Sequence, residues 1–112
     1  MKKLTVIVKP ANREDVIDIM ESCAVYGVME TDITGYGNQK GIIKNYRGAS
    51  YNVTLLPKIK VETVVSDEVA PGLIDKVVDE INTGNFGDGK IFVYDVEDAV
   101  RIRTGEHGDK AL

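Results

Sequence analysis

Leu4, Val6 and Val8 alternate with Thr5, Ile7 and Lys9, the two-residue period of a strand, and Pro10 withholds the donor needed to continue it. Asn12 can cap a following helix, with Glu14 and Asp15 suiting the positive end of its dipole. Val16, Ile19, Met20 and Cys23 recur at helical spacing and share one buried stripe, and Gly27 is expected to close the helix. Cys23 thus reads as core, not as a reactive thiol. Met29, Thr31, Ile33 and Gly35 then alternate with Glu30, Asp32 and Thr34, giving a second strand with one wet face.

From Gly37 to about Thr54 neither period is sustained, and a long loop is expected. Ile59, Val61, Thr63 and Val65 set one face of a third strand, with Lys58, Lys60 and Glu62 on the other. Asp67 can cap a second helix that accepts Pro71 at its fourth residue, and Leu73, Ile74, Val77, Val78 and Ile81 form its buried stripe. Lys90 to Val96 form a fourth strand, with Ile91 and Val93 on one face and Phe92, Tyr94 and Val96 on the other. Arg101 to Glu106 add a short extended piece before a polar tail expected to fray.

The order is βαββαβ. Right-handed crossovers put both helices on one face of a four-stranded antiparallel sheet, the α+β ferredoxin-like arrangement, in a single domain spanning 1–112. Ile7, Val64, Phe92 and Val96 fall on the opposite face, and apolar surface there predicts a homo-oligomer packed through its sheets.

Composition narrows the function classes. The 112 residues carry a net charge of −4, so no general attraction to nucleic acid or to an anionic membrane is expected. A single Cys23 forbids an intrachain disulfide and a cysteine zinc cluster, and one His107 leaves no basis for a hydrolytic triad. Met1-Lys2-Lys3 leads straight into alternating residues, not an export signal, and no run is long enough to span a bilayer. A cytoplasmic protein without direct membrane insertion is expected.

The candidate chemistry lies in the charged loops. Thr83-Gly84-Asn85-Phe86-Gly87-Asp88-Gly89-Lys90 places three glycines and a lysine between a helix and a strand, where backbone N–H groups can approach an oxyanion and Lys90 adds a point charge. An ordinary turn, with Gly84 as a helix cap, uses the same residues. In the long loop, Gln39 and Lys40 can bind an anion or a metal-bound ligand, Arg47 is a fork for a partner, and Tyr46 and Tyr51 present two phenols. Lys58 and Glu62 share a strand face, either as a surface ion pair or facing a nucleotide. Arg101 and Arg103 project to one side of an extended segment, suited to phosphates of a neighbouring subunit or to Glu97, Asp98 or Glu106.

Four segments together carry a resemblance: Gly-Asn-Gln-Lys-Gly at 37–41, Tyr-Arg-Gly-Ala-Ser-Tyr at 46–51, Thr-Gly-Asn-Phe-Gly-Asp-Gly-Lys at 83–90 and Arg-Ile-Arg-Thr-Gly-Glu at 101–106. In order and spacing, from Met1 to Glu106, the chain closely resembles the PII signal-transduction family of nitrogen regulators. The resemblance implies a homotrimer with ATP or ADP in the clefts between subunits, a T-loop at about 37–55, a B-loop at 82–90 and a C-terminal loop at 101–112. Gly87, Asp88, Gly89 and Lys90 would take the phosphates, with Arg101 and Arg103 from the adjoining subunit. Glu62 and Val64 would lie near ribose and base, and Gly35, Gly37, Gln39 and Lys58 complete the nucleotide set. Gln39 would help hold a magnesium ion bridging ATP phosphates and 2-oxoglutarate, whose own contacts would be Gln39, Lys40, Gly41, Lys58 and Gly87. Tyr51 matches a tyrosine that some members have uridylylated. Arg47 matches the residue that transporter-binding members insert into an ammonium channel, which would recruit the protein to the inner face of the membrane.

Three positions depart from the pattern: Met29 where many relatives have Thr or Ser near adenine, Ala49 where one branch carries a phosphorylated Ser, and Thr54 in place of an acid. The expected activity is therefore a sensor whose nucleotide and 2-oxoglutarate occupancy sets the shape of the T-loop for target proteins. A small nucleotide hydrolase or phosphotransferase using the same glycine loop is the enzyme alternative, but no Gly-x-x-x-x-Gly-Lys-Ser/Thr pattern or evident water-orienting base accompanies it. RNA-binding domains share βαββαβ order but stack bases on aromatics of their central strands, and Leu4–Val8 and Ile59–Val65 contain none.

Overall fold

The computed structural model describes residues 1–35, 42–46, 49–53 and 55–112, with 42–46 and 49–53 described as backbone. The elements are β1 (Lys2–Val8), α1 (Arg13–Ser22), β2 (Val28–Gly35), β3 (Ile42–Tyr46), β4 (Ala49–Val53), β5 (Leu56–Val65), α2 (Ala70–Ile81) and β6 (Lys90–Asp95). The main sheet runs β2-β5-β1-β6 with every neighbouring pair antiparallel. This is the expected βαββαβ fold.

Its core lies where the alternation placed it. Leu4, Val6 and Val8 of β1 and Ile59, Val61, Thr63 and Val65 of β5 are buried beneath Val16, Ile19 and Met20 of α1 and Leu73, Val77 and Ile81 of α2. Thr63 is tolerated there because its hydroxyl donates to the Gly27 carbonyl at 2.7 Å. Val78, expected in the α2 stripe, is instead 49% exposed, since Val77 already occupies that position of the core face. Cys23 is half-buried against the core.

The helix ends differ from expectation. Asn12 is the N-cap of α1 but makes no side-chain capping bond. Gly27 does not close α1. The helix stops at Ser22, Ala24 takes φ 58°, and the amides of Ala24 and Val25 donate to Glu21 and Met20 carbonyls at 2.9 Å each. This paired-bond stop places Val25 on Met20 in the core, and that burial offsets the strain of a left-handed alanine. Asp67 does not cap α2 either. Its carboxylate holds the N-terminal ammonium at 2.9 Å, and Ser66 accepts from the Val69 amide instead. Pro71 stands in the first turn of a helix that begins at Ala70.

Within the stretch read as an unpatterned loop, β3 and β4 form a hairpin in register from Ile42↔Val53 to Tyr46↔Ala49. A ribbon that pairs only with itself is not required to alternate apolar and polar residues as a core strand is, which is why the sequence concealed it. Tyr51 lies opposite Lys44 in that register. Gly37, Gln39, Lys40, Gly41, Arg47 and Thr54 lie outside the described residues.

Candidate functional site

The glycine loop begins where Asn82 leaves the helical conformation. Gly84, Gly87 and Gly89 all have positive φ. At Gly89 the requirement is absolute, because a Cβ would stand 1.9 Å from the Ile7 carbonyl oxygen. Asp88 turns back into the loop: its carboxylate accepts the Thr83 amide at 2.7 Å, the Thr83 hydroxyl at 2.5 Å and the Gly84 amide at 3.1 Å. The Thr83 hydroxyl, then its amide, holds the Asp88 carboxyl below the usual aspartate range. The amides of Gly87, Asp88 and Gly89 have no acceptor among the described residues. Lys90 is exposed at the start of β6.

Lys58 joins this loop from the facing strand. Its ammonium donates to the Gly87 carbonyl at 3.3 Å, and burial first, Lys9 second, lowers its pKa. Gly35 pairs with Leu56 and lies against the Lys58 side chain. Gly35, Lys58 and the loop from Thr83 to Lys90 therefore form one group at one end of the sheet.

The remaining predicted residues lie elsewhere. Val64, with Met29 and Gly27, lines a cavity at the opposite end of β5, together with Val65, Val69 and Leu112. Six strand steps lead from Lys58 to Val64, a span of about 20 Å. Leu112 is fixed by the tail, which is tied down where fraying was expected. Val100 bridges His107, His107 contacts the Asp98 carboxylate at 2.7 Å, and a 3₁₀ turn covers Gly108–Ala111. Arg101 is not in an extended segment. It sits at a turn, donating to the Leu112 carbonyl at 3.0 Å and lying 3.5 Å from the Glu106 carboxylate, one of the pairings open to it in the sequence. Arg103 is exposed and has no ion pair among the described residues.

Glu62 faces neither group directly. On the open face of the sheet it accepts Lys3 at 2.8 Å and the Thr5 hydroxyl at 3.0 Å, with Lys60 at 3.6 Å. Hydrogen bonding from Lys3 holds its carboxyl below the ordinary glutamate value, helped by Thr5 and Lys60. The anticipated Lys58–Glu62 surface pair is thus replaced by a Glu62-centred cluster and a Lys58–Gly87 contact. Beside that cluster, Phe92, Tyr94 and Met29 are exposed while Ile7 and Val64 are half-buried, so the open face is apolar around a charged centre. The central strands β1 and β5 carry no aromatic residue for base stacking.

The family model for nitrogen regulatory protein P-II matches residues 1–106. The chain belongs to the P-II family. Over the full length of both proteins it is 46% identical to the nitrogen regulatory protein P-II of Pasteurella multocida (strain Pm70). Over the same full span it is 44% identical to nitrogen regulatory protein P-II 1 of Escherichia coli (strain K12) and to nitrogen regulatory protein P-II of Klebsiella oxytoca. P-II proteins are signal-transduction regulators of nitrogen metabolism, non-enzymatic, and the hydrolase alternative gives way to that membership. Among the described residues no helix is long and apolar enough to cross a membrane. Nor, among them, do three His, Cys, Asp or Glu side chains gather to hold a metal.

Sequence reasoning found the loop and Lys58 but missed two things about them. The inward turn of Asp88 has a faint signal in Thr83, a hydroxyl five residues earlier. The seating of Gly89 on β1 has none, because it depends on strand pairing across the sheet.

Proposed function

We propose that two copies of this chain jointly enclose an adenine nucleotide, ATP or ADP, in a homotrimer, and that occupancy sets the conformation of the arm between β2 and β5. The observation that carries the reading is the division of the expected contacts. Gly35, Lys58 and Gly87–Lys90 stand at one end of the sheet, while Met29, Val64 and the tail carrying Arg101 and Arg103 stand about 20 Å away along β5. Phosphates on the loop and a base against Val64 are more easily met by the loop end of one copy and the cavity end of the next. The uncommitted amides of Gly87, Asp88 and Gly89, with Lys90 beside them, suit the phosphates.

2-Oxoglutarate joins the magnesium–ATP form, its distal carboxylate meeting Lys58 near Gly87. Burial disfavours the charge on Lys58, and a carboxylate beside it would favour the charged form. Magnesium held mainly by ligand oxygens, with Gln39 as the protein contact the resemblance implies, needs no cluster of protein carboxylates. The arm, with Tyr51 on β4 and Arg47 as a contact, then presents itself to a target protein such as an ammonium transporter, placing a cytoplasmic protein at the membrane face.

The test is complementation between crippled subunits. Lys90→Ala impairs the loop half and Arg103→Ala the tail half, and each variant alone should bind ATP poorly by calorimetry. Refolded together in equal amounts, a shared cleft regains about a quarter of its sites at wild-type affinity, because each subunit boundary draws its two halves independently. Mixed assemblies that bind no better than either parent would place each site within one chain.

A further inference from the structure

Asp88 presents a contradiction that the nucleotide reading leaves standing. If the loop holds phosphates, as proposed, a carboxylate at its centre would repel them. Yet it is placed there and tightly engaged, accepting two amides and one hydroxyl from Thr83 and Gly84.

Resting on the proposed nucleotide site, we infer that the side chain of Asp88 is a positioning group and not a ligand: its carboxylate staples the first half of the loop so that the amides of the second half, that of Asp88 included, face the phosphates. The three donors fill two acceptor positions on Oδ2 and one on Oδ1, spreading the charge of the carboxylate into the loop. They also fix Thr83 and Gly84 relative to Gly87 and Gly89. Gly89 lies against the Ile7 carbonyl and Lys58 holds the Gly87 carbonyl, so β1 and β5 hold the second half of the loop and the staple holds the first. The depressed pKa of Asp88, caused first by the Thr83 hydroxyl, agrees with a carboxylate kept ionised by its loop.

The sign of one substitution decides the matter. Asp88→Asn removes a negative charge from an anion site, so a bystander aspartate would leave ATP binding unchanged or tighten it. A staple loses charge-assisted bonds and turns an amide donor toward other donors, so affinity should fall roughly tenfold or more. Thr83→Val should weaken ATP several-fold, while Thr83→Ser, which keeps the hydroxyl, should stay near wild type. Hydrogen exchange on the unliganded protein should show the amide of residue 83, which donates to Asp88 at 2.7 Å, losing protection in Asp88→Asn and Thr83→Val but not in Thr83→Ser, whereas the Gly84 amide also donates to Asn82 Oδ1 at 2.8 Å and is the less sensitive reporter. Calorimetry with magnesium-free ADP and with magnesium–ATP should give the same ranking. Asp88→Asn binding as tightly as wild type, or Thr83→Val matching Thr83→Ser, overturns the staple. Wild-type protein that binds neither nucleotide sinks the nucleotide reading instead, and the exchange pattern then judges the staple by itself.

Discussion

Replacing Gly89 by Ala tests how the glycine loop is fixed to the sheet. The new methyl group would lie 1.9 Å from the Ile7 carbonyl oxygen, 3.0 Å from its carbon and 3.3 Å from Val8 Cα, all backbone atoms of a central strand. None of these can rotate away. A φ of 119° already costs an L-residue about 1–3 kcal/mol. Displacing packed backbone adds a further 1–3 kcal/mol, roughly, by analogy with overfilled cores. The total of about 2–6 kcal/mol corresponds to a fall in Tm of roughly 8–24 °C for a chain of this length. Gly84→Ala is the control: its φ is also positive, at 80°, but nothing lies within 4 Å of the added Cβ, so only about 1 kcal/mol of strain is expected. Thermal unfolding by circular dichroism, at matched protein concentrations because assembly adds stability, reads both. If Gly89→Ala melts no lower than Gly84→Ala, the close approach to Ile7 does not govern the loop.

Three further outcomes follow from the same geometry. Ala24→Gly should stabilise the fold by about 1 kcal/mol, since only a left-handed residue at the end of α1 is needed there; chemical denaturation showing a loss would refute that account. Lys58 has a lowered pKa, so near that depressed value 2-oxoglutarate binding should take up protons, seen as a buffer-dependent heat in calorimetry at alkaline pH; no buffer dependence would count against the Lys58 contact. For Glu62, whose folded pKa is depressed, the stabilisation is present above its ordinary pKa and lost as pH falls through the lowered value. Glu62→Gln should therefore flatten the acid limb of the stability profile, and an unchanged profile would mean that Lys3 and Lys60 contribute nothing through it.

The element order and the core were legible because strands buried on one face must alternate and helices packed on them must repeat at helical spacing. Leu4, Val6, Val8 and Val61 needed no other information. Helix ends were harder: Asp67 reads as the cap of α2, but its carboxylate holds the N-terminal ammonium and the hydroxyl of Ser66, which the spacing did not single out, takes the Val69 amide. The partners of Glu62 were hidden for a related reason. Lys3 and Thr5 come from β1, and the β1–β5 register that sets them beside Glu62 is a tertiary fact. Spacing within β5 suggested Lys58 instead, its neighbour on the same face of the strand.

The placement of Lys58 bears on how a ligand at the loop could reach the arm. Gly35 and Leu56 are paired, so the chain leaves the sheet and returns to it through adjacent strand ends, and Gly35 lies against the Lys58 side chain. Lys58 itself holds the Gly87 carbonyl. On the proposed reading, a carboxylate that draws Lys58 toward itself acts two residue pairs from both roots of the arm. Phosphates on Gly87–Lys90 would act on the loop whose Gly87 carbonyl that lysine holds. The two ligands therefore share a mechanical element and need no path through the core. A target that favours one arm conformation must change the affinity for 2-oxoglutarate by the same factor that 2-oxoglutarate changes its own, because both free energies are measured against the same two states.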